Sequence, residues 1–485
     1  MKRQLGATLL LAGMAAACAS APPCATAQSS DSEECAKPSG KAARSRTSAR
    51  PKTPFAAIPI EDASGHALQS FHAALRAAEE KRGQARILIY GASHVAADIY
   101  PDVVRTRLAH RFGEGGPGFF LPGKPLPHYS YPGITIETAT GWSGYHVKST
   151  EGAEDYYGLA GMYLQTTNPR RAARSVIVTK PHAGLSGFTN EVELYYLKQP
   201  DGGHLKVSID GKTREISTAS RSKAPGYERW EVPDSLHRIE IVAGGDGPVR
   251  IFGLALDRHQ PGITIDAMGI PGARARTQLL WNDALYREHL ARRRPDLVVL
   301  AYGTNEAGDD GQPIEEYASN LRKVVARVRQ AVPQASCLLI GPSDRPARSD
   351  AGTYLDRPRT AQIVATQREV SSEFGCGFFD MVSFMGGPLS MLDWCDGEPP
   401  FGAQDHVHFT ARGYEAMGNV LHDALMMGYR GPAPIVFGPR PLAPPGSTLS
   451  ELNRESRDPN GDDAPESGTK PQRKLSASPG GQRTP

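Results

Sequence analysis

The chain has 485 residues, enough for two or three domains, and 39% of them are hydrophobic, enough to build a sizeable core. Lys and Arg number 55 against 52 Asp and Glu, a net charge of +3 that is too balanced for a protein whose main task is gripping phosphate backbones. Six Cys with no CxxC and no paired Cys/His spacing argue against a zinc module and against a disulfide scaffold.

Lys2 and Arg3 open the chain and Leu5 to Ala17 form a short apolar run. That run is too short to span a bilayer comfortably, so residues 1–27 read as an export signal. Two processing sites compete. Ala15-Ala16-Ala17-Cys18 resembles a bacterial lipobox that would lipidate Cys18, and Ala25-Thr26-Ala27 suits cleavage before Gln28. Both imply export to the periplasm or cell envelope, with secretion as the alternative, and a lipid on Cys18 is the only membrane attachment expected. Residues 28–55 hold almost no large apolar side chains and cannot offset their ordering entropy, so they read as a disordered tether. The tail at 431–485 repeats that composition.

Ile87-Leu88-Ile89-Tyr90 is an apolar run ending at Gly91, as a buried parallel strand would. Leu68, Phe71, Leu75 and Ala78 before it recur at helical spacing. Val103, Val104, Leu108 and Phe112 after it mark a second helix, closed by Gly113. The pattern returns near the C-terminus. Leu297 to Tyr302 is a strand, Leu321 to Val328 stripes a helix, and Cys337 to Ile340 is a strand. Ile363 to Val370 is helical and Gly377-Phe378-Phe379 is a strand. Strands alternating with helices imply a parallel sheet covered on both faces. Between these halves, short runs such as Val192 to Tyr196, Leu205 to Ile209 and Ile239 to Val242 are separated by turns such as Asp210-Gly211. That texture predicts an antiparallel β-sandwich inserted at 133–260, splitting an α/β domain into 56–132 and 261–430.

Four segments could carry chemistry. Ser93, in Gly91-Ala92-Ser93-His94, follows the first strand, the edge where sites form in open α/β sheets; alone it reads first as an ordinary cap or loop Ser. Asp405-His406-Val407-His408 lies on a loop before a helix capped by Thr410. A Ser nucleophile needs an imidazole to take its proton, and the imidazole benefits from a carboxylate on its other nitrogen. Asp405 and His408 supply both. His406 and His408 could instead pair on a metal, but no third or fourth ligand is evident near them. Asn305, in Gly303-Thr304-Asn305-Glu306, can donate to an oxyanion or form a turn. Gly272 permits close backbone approach and could offer an amide.

Taken together, Ser93, Gly272, Asn305 and Asp405-x-x-His408 follow the order of the SGNH (GDSL-type) hydrolases, which the chain resembles over about residues 55–430 outside the insert. The resemblance implies a flavodoxin-like three-layer α/β domain with Ser93, Asp405 and His408 as the triad. It makes Ser93, Gly272 and Asn305 the oxyanion hole. GASHVAADIYPDVVRTRLAHRFGEGGPGF, VRIFGLALDRHQPGITIDAMGIPGA and DHVHFTARGY look like bacterial peptidoglycan O-acetylesterases, which carry a carbohydrate-module-like β insert. Ala92 departs from the family, which usually has an Asp there whose hydrogen bonds support the nucleophile turn.

The reading is an exported serine esterase that removes acetyl groups from a cell-wall polysaccharide without cofactor or metal. Its partner is the acetylated glycan, which the β insert could also contact. The alternatives are an O-acetyltransferase with the same triad and a non-catalytic glycan-binding protein, the latter favoured by Ala92. Gly118 to Lys124 matches the spacing of a phosphate loop, but Pro125 stands where Ser or Thr is needed, and there is no GxSxG. Cys376 and Cys395 could bridge, while Cys337 and Cys376 on adjacent strands read equally as buried thiols.

Overall fold

The computed structural model describes residue 55 and residues 58–150 and 155–431. The export signal, tether and tail expected at 1–27, 28–55 and 431–485 lie outside the described residues, apart from Phe55 and Gly431. Five parallel strands form the central sheet in the order Gly262–Gly269, Gln84–Gly91, Leu297–Ala301, Ser336–Ile340, Gly377–Phe379. Counted along the chain this order is 2-1-3-4-5, the flavodoxin-like arrangement.

Side chains alternate across the sheet, so each strand feeds two cores. Ile87 and Ile89 face one cluster with Phe71 and Leu75 of helix Gln69–Glu79, Leu108 of helix Ile99–Phe112 and Leu421 of helix Ala411–Met426. Leu88 and Tyr90 face the other, with Leu290 of helix Asp283–Arg293, Val324 of helix Ile314–Ala331 and Ile363 of helix Pro358–Glu373. The result is the expected three layers. Each fully buried Leu or Phe contributes roughly 1.5–3 kcal/mol.

The inserted region builds two antiparallel sheets. One runs Ala224–Ser235, Thr189–Lys198, Arg250–Asp257, Met162–Thr166, Trp142–His146, and the other Ile134–Thr140, Ala173–Thr179, Arg238–Ala243, His204–Ile209, Lys212–Ser217. Leu194, Tyr196 and Ile251 of the first meet Ile177, Val207 and Ile239 of the second in a sandwich core. The neighbouring Tyr195 and Leu197 point the other way and join the core of the α/β layer. A sheet covered on both faces explains why Thr189–Lys198 is buried almost throughout, with Glu191 and Glu193 among its buried residues. Gly118–Phe120, upstream of residue 133, also pairs with Arg250–Asp257, so the stretch with phosphate-loop spacing begins as a strand of this sheet.

A buried charge cluster joins the two parts. Arg293 donates to Asp266 Oδ2 at 2.7 Å and to Asp257 Oδ1 at 2.9 Å, and Arg86 lies 3.2 Å from Asp257. Asp266 Oδ1 also accepts the Phe119 amide at 2.8 Å. Burial raises the Asp257 carboxyl, but Arg293 and Arg86 outweigh it and hold it well below the usual range. Cys337 and Cys376, on adjacent strands, form a disulfide. That corrects both sequence expectations for these cysteines: they are not free thiols, and Cys395 is not bridged to Cys376 but is the free cysteine among the described residues, buried near the loop 403–408.

Candidate active site

The strand ends dictate where the site forms. Gly91 ends its strand because a Cβ there would meet Val95 Cγ2 at 2.2 Å and the Ala301 carbonyl at 2.8 Å. Its absence lets the one-turn helix Ser93–Ala96 pack onto the sheet edge. The turn is held by backbone alone: the Ala96 amide donates to Ala92 O at 2.9 Å and the Ala97 amide to Ser93 O at 3.0 Å. An Asp at position 92 is therefore not required to form it.

The next strand, Gly262–Gly269, leads into a turn closed by the Ala273 amide on Ile270 O at 3.0 Å. Gly272 sits there at φ +72°, a left-handed conformation that side chains other than glycine rarely adopt. After Leu297–Ala301 come Gly303 to Asn305, tied to the previous turn by Glu306. Its buried carboxylate accepts the Ala275 amide at 2.8 Å and the Gly303 amide at 3.0 Å. Burial pushes this carboxyl above its ordinary value against those bonds. Asn305 Nδ2 donates to Ala273 O at 2.9 Å, which commits one of its two N–H groups and leaves the second. Among the described residues the amides of Ser93 and Gly272 make no hydrogen bond.

The fourth element is a loop, 402–409, that folds on itself before helix Ala411–Met426. Ala403 N donates to His408 O at 2.8 Å, and Thr410 Oγ1 caps the helix by accepting from Gly413 N at 3.3 Å. Asp405 Oδ1 accepts the amides of Val407 at 3.0 Å and His408 at 2.9 Å. Its other oxygen, Oδ2, lies 2.6 Å from His408 Nδ1. His408 Nε2 then reaches Ser93 Oγ at 2.8 Å, across 315 residues of sequence. Burial raises Asp405, but the His408 ring and the two amides outweigh it and hold the carboxyl down to about 2. Asp405 is thus an anion at any ordinary pH.

Ser93, Gly272, Asn305, Asp405 and His408 all lie at the carboxyl end of the central sheet or on the loop facing it. Ser93 meets His408 and His408 meets Asp405, while Asn305 is bonded to the Gly272 turn. The position is also where the strand order reverses, the place at which open α/β sheets take ligands. His406 is not paired with His408: its Nδ1 lies 3.0 Å from Tyr354 Oη, and the rings pack at 4.3 Å.

Several neighbours were not singled out in advance. His94 is buried behind His408, with Nδ1 3.0 Å from Tyr414 Oη and Nε2 3.3 Å from Ser343 Oγ. Its ring centroid is 5.6 Å from that of His408. Burial first, then the nearby His408, brings it down to about 3, so it is a neutral wall for the imidazole. Its place directly after Ser93 was the signal available. A cleft of about 540 Å³ opens beside Ser93, lined by Asp98, Leu126, His128, Tyr129, His146 and Lys148 among others. No sequence signal marks His146 and Lys148, which come from the insert.

The GDSL-like lipase/acylhydrolase family matches residues 230–416, a span that holds Gly272, Asn305, Asp405 and His408 but not Ser93. A solved peptidoglycan O-acetylesterase is similar at 23% identity and TM-score 0.63, covering 76% of this chain and 99% of that one. Weaker likenesses include an active-site mutant of a family two carbohydrate esterase from Clostridium thermocellum. It has 10% identity and TM-score 0.26 over 62% of this chain and 100% of that one. A salicylyl-acyltransferase from a tetracycline biosynthetic pathway has 13% identity and TM-score 0.29, over 63% and 96%. No curated protein matches the sequence. The fold is that of the SGNH hydrolases, as the resemblance implied.

Proposed function

We propose that the protein is an exported serine esterase that removes O-acetyl groups from a cell-wall polysaccharide, foremost peptidoglycan. The observation that carries this reading is the continuous contact from Asp405 through His408 to Ser93, at 2.6 and 2.8 Å. His408 Nδ1–H donates to Asp405, which leaves Nε2 free to accept the Ser93 proton. Ser93 Oγ attacks the acetyl carbonyl, and the oxyanion receives the Ser93 and Gly272 amides and the second Asn305 N–H. His408 passes its proton to the departing sugar hydroxyl. Water, deprotonated by the same imidazole, then attacks the acetyl-enzyme and releases acetate.

Hydrolysis rather than transfer to a second sugar is favoured by the openness of the site. The side chains of His408 and Asp405 are 40% and 52% exposed, so water reaches the acyl-enzyme readily. The substrate class rests on what the similar structures act on. His146 and Lys148 line the cleft beside Ser93, which is where the insert would contact the glycan. Export to the periplasm or cell envelope, or secretion, fits the Cys337–Cys376 disulfide, since such bonds persist in oxidising compartments. A lipid on Cys18 would add a membrane anchor.

The test is acetate release from O-acetylated peptidoglycan by the purified protein beside its Ser93→Ala variant. Release by the wild type alone is expected. Turnover of a small acetyl ester without release from peptidoglycan would move the substrate to another acetylated glycan. Silence on both would refute the esterase reading.

A further inference from the structure

One cleft-lining group has no part in the mechanism above. Lys148 lies two residues beyond the strand Trp142–His146, on backbone anchored by the fully buried Val147, whose amide donates to Gly161 O at 3.0 Å. From there the side chain crosses to the α/β part and donates from Nζ to Pro271 O at 3.1 Å. It comes so close to the oxyanion turn that a Cβ on Gly272 would meet Nζ at 2.4 Å. The backbone angle is what favours glycine at position 272; the ammonium, at the end of a flexible side chain, marks how close the insert comes to the turn.

The ammonium has no carboxylate partner among the described residues. The other ionisable groups lining the cleft are His128, His146 and Asp98. Asp98 is buried, lies 3.4 Å from Arg105, and is pushed by burial up to about 7. Arg105 is the cation it faces, so Asp98 offers Lys148 little counter-charge. A cation with no carboxylate partner among the described residues, at the reacting end of a cleft walled also by Leu126, Pro127, Tyr129 and Tyr131, is poised for an anion brought by the ligand.

We propose that Lys148 is a specificity-determining residue: the insert places a cation beside the ester to bind a carboxylate on the acetylated sugar. The substrate is then an acidic sugar, bearing either a uronic carboxylate or the lactyl ether carboxylate of a muramic acid that carries no amide-linked peptide. This rests on the esterase reading of the same cleft. An exposed pair of this kind is worth about fivefold in affinity, falling with salt.

The experiment compares wild type, Lys148→Ala, Lys148→Glu and Lys148→Arg on two matched pairs of acetylated substrates. One pair is an O-acetylated uronate oligosaccharide and its carboxyl-reduced form; the other is O-acetylated muramic acid and its lactyl amide. The wild type should prefer the charged member of one pair by about fivefold, through KM, and that pair identifies the source of the carboxylate. Lys148→Ala should bring the ratio to one, Lys148→Glu should invert it and Lys148→Arg should keep most of it. A ratio that Lys148→Ala leaves intact, or equal losses on charged and neutral members, would overturn the proposal. Calorimetric binding of the same pairs to Ser93→Ala and to Ser93→Ala/Lys148→Glu separates the two readings. A carboxylate preference in binding with no wild-type turnover would sink the esterase and leave the subsite. Turnover without that preference would sink the subsite alone.

Discussion

Replacing Asp405 distinguishes an orienting carboxylate from a merely nearby one, because Asn and Ala should fail by different amounts. Asp405 falls from its ordinary value of 3.8 to about 2. That shift corresponds to about 2.5 kcal/mol before screening. The side chain is 52% exposed and shares its bonds with two amides, so about 1 kcal/mol is assigned to the His408 contact. Asp405→Ala should therefore cost at least about tenfold in kcat/KM, since lost orientation and lost stabilisation of the imidazolium add to that contact. Asp405→Asn should cost far more. The amides of Val407 and His408 would still claim the side-chain oxygen, which turns the NH2 group toward His408 Nδ1. Nδ1 must then accept, the ring proton moves to Nε2, and Nε2 can no longer take the Ser93 proton. The loss expected from that wrong tautomer is on the order of a thousandfold or more. The assay is kcat/KM on a small acetyl ester, with melting curves to show that both variants fold. An Asn variant as active as the Ala variant would refute the tautomer argument.

Arg293→Ala should destabilise the protein by about 3–5 kcal/mol, because it leaves buried Asp266 without its cation and buried Asp257 with Arg86 alone; a denaturant midpoint within error of the wild type would contradict this. The disulfide closes a separation of 39 residues, so Cys337→Ala/Cys376→Ala should lose about 4 kcal/mol by the chain-entropy account, read as a lower Tm. Stability should also decline as pH falls from about 6.5 toward 3. His94 and His289 are both held down to about 3 by burial, so the unfolded chain takes up protons that the folded one refuses over that window. Among the described residues neither ring nitrogen of His289 has a hydrogen-bond partner, and Tyr195, Tyr227 and Phe252 surround it, so His289→Phe should flatten that slope. An unchanged slope in thermal melts across pH would count against it.

Local chemistry was legible in the sequence wherever one segment supplies it. Asp405 and His408 meet because they are three residues apart on one self-bonded loop, and the runs at 87–90 and 297–301 are apolar enough to read as buried strands. The strand Gly262–Gly269 was not read as one. Asp266 interrupts its apolar pattern, and only the fold brings Arg293 and the Phe119 amide to satisfy that carboxylate. The same holds for the cysteines: the sequence offered a Cys376–Cys395 bridge or buried thiols, and strand adjacency instead joins Cys337 to Cys376. His94 and Lys148 carry no pattern of their own, since one acts through burial against His408 and the other through reach across to Gly272. Residue type and spacing determined which groups could react. Which strands are neighbours, and so which distant charges share a cleft, was decided by register and packing between segments far apart in the chain, where spacing carries no information.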